Sequence, residues 1–409
     1  MSCQSRHSHL LSSLPSVLVI LVFSLVAVPV AAQTFTVLHS FTGYGDGSLP
    51  TAGLTANGTG NFYGTATSGG TNNHGTVFKL SSAGSGWVVT PIYSFQAGTD
   101  GAYPQARVVF GPDGTLYGTT TFGGALYGTV FNLRPPAAAC KTALCPWTET
   151  ALYRFTGGSD GAYPELGDLT FDSSGNIYGT TGGGAGTSTV FKLSRSGQSW
   201  TFSVLYTFTC GNDGCEPYSG VIFDQAGNLY GTTTQGGALG FGTVYELSPS
   251  EYGWTETTLY SFASGPASGA TPVGGLIFDS QGNLYGTTLG GGGDNGGTVY
   301  ELQRAGDTWT YILLYSLEGY EGPEDSLTMD SSGNLYGTST ISGGIGNGAV
   351  FELAPGAGGW TYTGLHAFTG HGDGAAPDGS VILDADGNVF GTAYEGGAND
   401  LGVIFEITP

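Results

Sequence analysis

The sequence predicts an all-β fold, a seven-bladed β-propeller of four-stranded antiparallel blades, and three observations predict it. An aromatic residue followed by Gly-Thr recurs at Tyr63, Tyr117, Tyr178, Tyr230, Tyr285, Tyr336 and Phe390, at spacings of 54, 61, 52, 55, 51 and 54 residues. A period of that length belongs to repeat architectures. Each unit divides into four short β runs separated by turn residues, the content of one propeller blade. The seventh unit reaches Pro409 after three runs, and a fourth stands at the other end of the sequence, where residues 34–43 repeat the pattern of residues 361–370. That exchange of ends closes a ring and leaves no sheet edge exposed, whereas a solenoid has no need of it.

Composition agrees. Of 409 residues 75 are Gly, beside 23 Tyr and 22 Phe. Gly weakens helix interiors and aromatics favour pleated surfaces, so a helical protein is excluded. With 39% hydrophobic residues the chain can build a core and is not disordered. Asp and Glu number 31 against 9 Lys and Arg, a formal net charge of -22. Nucleic acid and anionic lipid surfaces would therefore be repelled.

The elements follow in order, and the fourth unit shows them. Val221-Ile222-Phe223 forms the first strand, Asp224 to Asn228 a tight turn, and Leu229-Tyr230-Gly231-Thr232 the second strand. A Gly-rich loop leads to a third strand over 243–247, and a fourth runs over 254–262. Every Trp (87, 147, 200, 254, 309 and 360) opens a fourth strand, a position that packs between blades, and Gln33 stands where the seventh would be.

Ahead of this array, residues 1–32 carry the marks of a secretory signal: Arg6, an apolar run over 17–28, and Val30-Ala31-Ala32 before Gln33. The expected product is one domain, residues 33–409, outside the cytoplasm, monomeric and without a membrane span. With Cys3 removed, Cys140 with Cys145 and Cys210 with Cys215 form two close pairs, expected as local disulfides in that compartment.

The unit D-x-x-G-N-L-Y-G-T-T, then G-G, G-T-V-F/Y-E-L, W-T and L-Y-S-F resembles the Gloeo/Verruco (GloVer) tandem repeat of secreted bacterial proteins over essentially all of residues 33–409. The resemblance implies a repeat protein of the cell exterior. Members often carry a C-terminal sorting anchor, a feature not seen after the last strand here, and the family brings no established activity. The D-x-x-G-N-[LIV]-Y core is also similar to NHL-type propellers, which speaks to fold alone.

Candidate sites fall into three groups. Loops of the form G-x-D-G-x-x-P supply Asp46, Asp100, Asp160, Asp213 and Asp373, with Ser268 and Glu321 at the same place in units 5 and 6. They are expected on the face shared by the loops between strands 2 and 3. A carboxylate ring there could hold Ca2+ or draw in a cationic partner; the alternative is turn chemistry, since Asp-Gly supplies a side-chain cap and a positive φ. Asp172, Asp224, Asp279, Asp330 and Asp384, in turns on the opposite face, are expected to be structural. The second group breaks the repeat. Where most units place a small residue before the first strand (Gly53, Gly220, Gly275, Ser326, Ser380), Arg107 and Asp168 occur instead, and Glu165, Glu324, Asp325 and Asp378 follow the loop prolines. These charges are expected to meet near the axis, to neutralise one another or to bind. The third group, Tyr44, Tyr103, Tyr163 and Tyr218, could stack on sugar rings or pack the loops. Gly157 to Gly161 matches G-x-S-x-G but is only a copy of the repeat loop.

The function expected is a secreted binding or scaffold module for an extracellular glycan, polymer or envelope protein. The rivals are a metal-dependent lactonase-like or lyase-like enzyme with its site at the channel mouth, and a purely structural element.

Overall fold

The computed structural model describes Met1 and residues 33–84, 86–136, 147–183, 187–197, 199–319, 322–340 and 346–409. The signal segment, Cys140, Cys145 and Glu321 lie outside the described residues. Gln33–Pro409 is one compact unit, a ring of seven four-stranded antiparallel sheets. It is a seven-bladed β-propeller. Thr34–Ser40 pairs with Val403–Thr408, from Thr34 opposite Thr408 to Ser40 opposite Val403, so the last blade is completed from the start of the domain as expected.

Each residue of the repeat has a physical task. In the turn of blade 4, Asp224 Oδ1 accepts from the amides of Ala226 and Asn228, both at 2.9 Å, and Oδ2 accepts from Asn228 Nδ2 at 2.9 Å and the Tyr230 hydroxyl at 3.2 Å. Gly227 sits at φ 90°, where other residues are strained. In Tyr230-Gly231-Thr232-Thr233 the Tyr ring meets Trp309 of the next blade, with centroids 6.1 Å apart. Gly231 leaves room for the Tyr245 ring. Thr232 donates to the Gly274 carbonyl of blade 5 at 3.2 Å, and Thr233 bonds Thr243 at 2.8 Å inside its own blade.

The Thr bond to the next blade recurs as a stitch. Thr65 donates to Ala106 O, Thr180 to Ser219 O, Thr287 to Asp325 O, Thr338 to Gly379 O and Thr392 to Ala52 O, at 2.8 to 3.2 Å. A second contact binds the outer strands. The Tyr or His near the end of one fourth strand stacks on an aromatic of the next: Tyr153 on Phe202 at 3.9 Å, Tyr260 on Tyr311 at 4.5 Å, Tyr315 on Tyr362 at 4.8 Å, and His366 on Phe35 at 3.6 Å. Between these layers lie buried clusters shared by adjacent blades, such as Tyr178, Val190, Leu229 and Tyr245.

Candidate functional site

The first strands approach the axis, and the segments leading into them line the channel. From loop proline to the end of the first strand the distance is six residues in six blades, as from Pro104 to Phe110, but seven in blade 3, from Pro164 to Phe171. The extra residue displaces the backbone carbonyl that a stitch needs. Thr119 of blade 2, the seventh stitching Thr, accordingly has a buried hydroxyl with no partner, and Leu166 and Asp168 line the channel. The added residue lies ahead of the strand Thr170–Phe171, whose own pairing stays in regular register.

Asp168 thereby meets Arg107 of blade 2. Arg107 Nε donates to Asp168 Oδ2 at 2.9 Å, and Nη2 donates to the same oxygen. Both side chains keep some exposure, 27% and 31%. From across the channel comes Asp325, whose Oδ1 accepts from the Ser326 amide and Oδ2 from the Ser380 amide, each at 2.6 Å. Burial raises the Asp325 pKa, Asp168 raises it further, and Arg107 opposes both. The Arg107 guanidinium is in turn held more strongly protonated by Asp168 than its burial can offset.

These three residues divide the channel. On one side is a chamber of about 270 Å³ lined also by Gln105, Glu165, Glu324, Asp378 and Tyr394. On the other is a space of about 490 Å³ walled by residues such as Val109, Ile222, Phe278 and Met329. In the chamber, burial and then Glu216 push the Glu165 carboxyl up. The repeat-breaking residues singled out from the sequence, Arg107, Asp168, Glu165, Glu324, Asp325 and Asp378, are thus brought together.

The five loop aspartates are not. None lines these chambers, and each is spent on its own loop. Asp160 accepts from the Thr156 amide (2.8 Å), the Thr156 hydroxyl (2.6 Å), the Gly158 amide (3.2 Å) and the Tyr153 hydroxyl (2.9 Å). Burial alone would raise its pKa, but the bonds from Thr156 and Tyr153 bring it below the usual value. Asp213 repeats this with Thr209 and Tyr206, Asp100 with Gln96 and Tyr93, and Asp46 and Asp373 with a Thr and the rings of His39 and His366. In blade 5, Ser268 accepts from the Ala263 amide at 3.2 Å and lies 3.3 Å from the Tyr260 hydroxyl, so a neutral oxygen takes the same place with longer contacts. Among the described residues no three His, Cys, Asp or Glu side chains are grouped to hold a metal.

The model of the Gloeobacter/Verrucomicrobia repeat matches residues 22–188, 141–325 and 296–409. The chain belongs to the Gloeobacter/Verrucomicrobia repeat family. No curated protein matches it. Among solved structures, a candidate 6-phosphogluconolactonase from Bacteroides fragilis aligns at TM-score 0.51 and 16% identity, covering 87% of this chain and 100% of that one. The extracellular domain of a candidate one-component system from B. thetaiotaomicron aligns at TM-score 0.51 and 9% identity, covering 87% of this chain and 38% of that one. The chain also spans about half (54%) of a Mycobacterium tuberculosis puromycin-hydrolyzing peptidase, at TM-score 0.44, 11% identity and 79% of its own length. At such identities these likenesses show the fold alone.

Against the regularity of a Gloeobacter/Verrucomicrobia repeat, departures stand out. Cys210 and Cys215 occupy loop positions that blade 3 fills with Gly157 and Ala162. Both are free thiols, so the expected disulfide is not formed in the structure. They are nonetheless neighbours, since burial and then Cys210 push the Cys215 thiol up to about 12. Two departures escaped the sequence reading. Glu149 and Glu256 take the outer-strand place that an aromatic fills at four other junctions, and the seven-residue spacing in blade 3 went uncounted, although counting from proline to strand end would have exposed it.

Proposed function

We propose that the chain is an exported binding module whose ligand is an extracellular glycan, seated in the chamber of Glu165, Asp168, Glu324 and Asp378. One observation carries this reading: residues that the repeat does not require, from blades 2, 3, 6 and 7, converge on one chamber, while the repeated polar residues are consumed by turns and stitches. A chamber of about 270 Å³ is close to the ~300 Å³ at which small-ligand pockets begin. It suits one sugar unit of a longer chain. Carboxylates accept from sugar hydroxyls, and Arg107, fixed by Asp168, keeps donors for a ring or hydroxyl oxygen. Export rests on the signal expected in residues 1–32, and oxidation outside the cytoplasm would join Cys210 to Cys215. Among the described residues no helix is long and apolar enough to cross a membrane.

The test is thermal unfolding with soluble neutral, basic and acidic polysaccharides. A ligand at 100 times its dissociation constant adds ~2.7 kcal/mol of stability. The melting temperature is expected to rise with at least one of them, and the rise to vanish in a Glu165→Gln, Asp168→Asn double variant. No rise with any polysaccharide overturns the reading. EDTA and added Ca2+ are expected to leave the transition in place; a Ca2+-dependent rise would restore the metal-dependent alternative.

A further inference from the structure

We infer that an aromatic strip on the loop face of blades 1 to 3 is a stacking platform for a polysaccharide chain that carries no acid groups. This deepens the glycan reading and rests on it. The strip is a chain of edge-on and tilted ring contacts: His74 to Tyr103 at 5.7 Å and 88°, Tyr103 to Phe122 at 5.9 Å and 89°, Phe122 to Tyr163 at 5.2 Å and 53°, and Tyr163 to Tyr127 at 5.8 Å and 53°. Phe122 is 45% exposed and the adjoining Leu126 74%. The other four rings, His74, Tyr103, Tyr127 and Tyr163, are half-buried.

The rings are not part of the repeat. Phe122 pairs with Ala102 between two loops, and the same pairing elsewhere uses Ser68, Gln235, Gly290 and Glu395. Tyr103 and Tyr163 sit at φ 57° and 55°, at a site where Leu49, Glu216, Thr271 and Ala376 also have positive φ. The left-handed conformation therefore belongs to the loop, and only blades 2 and 3 fill it with a large ring, at a steric cost.

The strip also runs into the chamber. Two residues beyond Tyr103 and Tyr163, through Pro104 and Pro164, stand Gln105 and Glu165, both in the chamber wall. A pyranose chain lying on the rings would bury its flat C–H faces, and its end would reach carboxylates that accept from hydroxyls or amines. Aromatic rings favour such faces and attract cations, while the net charge of -22 repels acidic sugars.

The experiment measures binding calorimetrically with three hexasaccharides: cellohexaose, a glucosamine hexamer and a galacturonate hexamer. The expected order is glucosamine, then cellohexaose, with no heat from galacturonate. A Tyr103→Leu, Phe122→Ser variant copies blade 1, which has Leu49 and Ser68 at these places. It should keep the parent melting temperature and lose affinity about tenfold or more, equivalent to ~1.4 kcal/mol. Phe122→Trp, which keeps a ring, should bind as the parent does. Unchanged affinity in the Tyr103→Leu, Phe122→Ser variant, with loss in Glu165→Gln, Asp168→Asn, overturns the strip and leaves the chamber reading standing. Preference for the galacturonate hexamer overturns the proposed ligand class. No heat with any hexamer overturns both readings.

Discussion

Glu149 stands beside Tyr93 and Asp100 where other blade junctions stack two aromatic rings. Its Oε1 is buried without a hydrogen bond. Burial pushes its pKa up to about 7, Asp100 adds to the rise, and Arg154 opposes it. Because the folded-state pKa lies above the unfolded one, the native state holds a proton that the unfolded chain has released. The contribution is fully present below the unfolded value of about 4.5 and is lost as pH rises to about 7. Replacing Glu149 by Phe, the residue blade 3 uses at Phe202, should remove that part of the pH dependence and stabilise the protein above pH 7 by ~0.5–1.5 kcal/mol. Urea titrations across this pH range check it. Arg107→Ala should have the opposite effect, leaving Asp168 and Asp325 facing each other, at a cost of ~1–3 kcal/mol given their partial exposure. The convergence of these charges was legible from Arg107 and Asp168 alone, since unlike charges on adjacent units at one register must meet at the axis. Turn chemistry for the loop aspartates was legible too, from Asp-Gly, but the full set of partners was not. A sequence shows an Asp in a loop but not the amides and Tyr hydroxyl that claim both its oxygens.

At the scale of the element, the stitch between blades separates regular from irregular repeats. Thr180→Val should cost ~1 kcal/mol or more, because it leaves the buried Ser219 carbonyl unpaired. Thr119→Val should cost nothing or stabilise slightly, because its hydroxyl is already buried and unpaired. Equilibrium denaturation of the two variants measures the contrast, and equal losses would mean that Thr119 has a partner after all. Turns, second strands and the Trp positions could be read directly, since each has a local cause in one to five consecutive residues. The extra residue in blade 3 could not be read from motifs, because it lies between them; only counting from Pro164 to Phe171 reveals it. The outer stacks also stayed hidden, because Tyr153 and Phe202 come together through neighbouring blades.

For the whole molecule, ring closure was fully legible, because residues 34–43 carry the pattern of a strand that the last unit lacks. Removing residues 33–42 should expose the edge of Val403–Thr408 and the buried Phe405 beneath it. The expected result is a lower melting temperature with aggregation on heating, and an unchanged transition would show that closure adds no stability. Seven nearly equal blades build the ring, and residues that the repeat does not require line one chamber within it. The most direct test is a crystal structure of the protein with the glucosamine hexamer bound. The account predicts sugar rings lying over Tyr103, Phe122 and Tyr163, with the end of the chain against Glu165 and Asp168. Sugar seated on the opposite face, among the Asp224-type turns, or on the outer strands would contradict it.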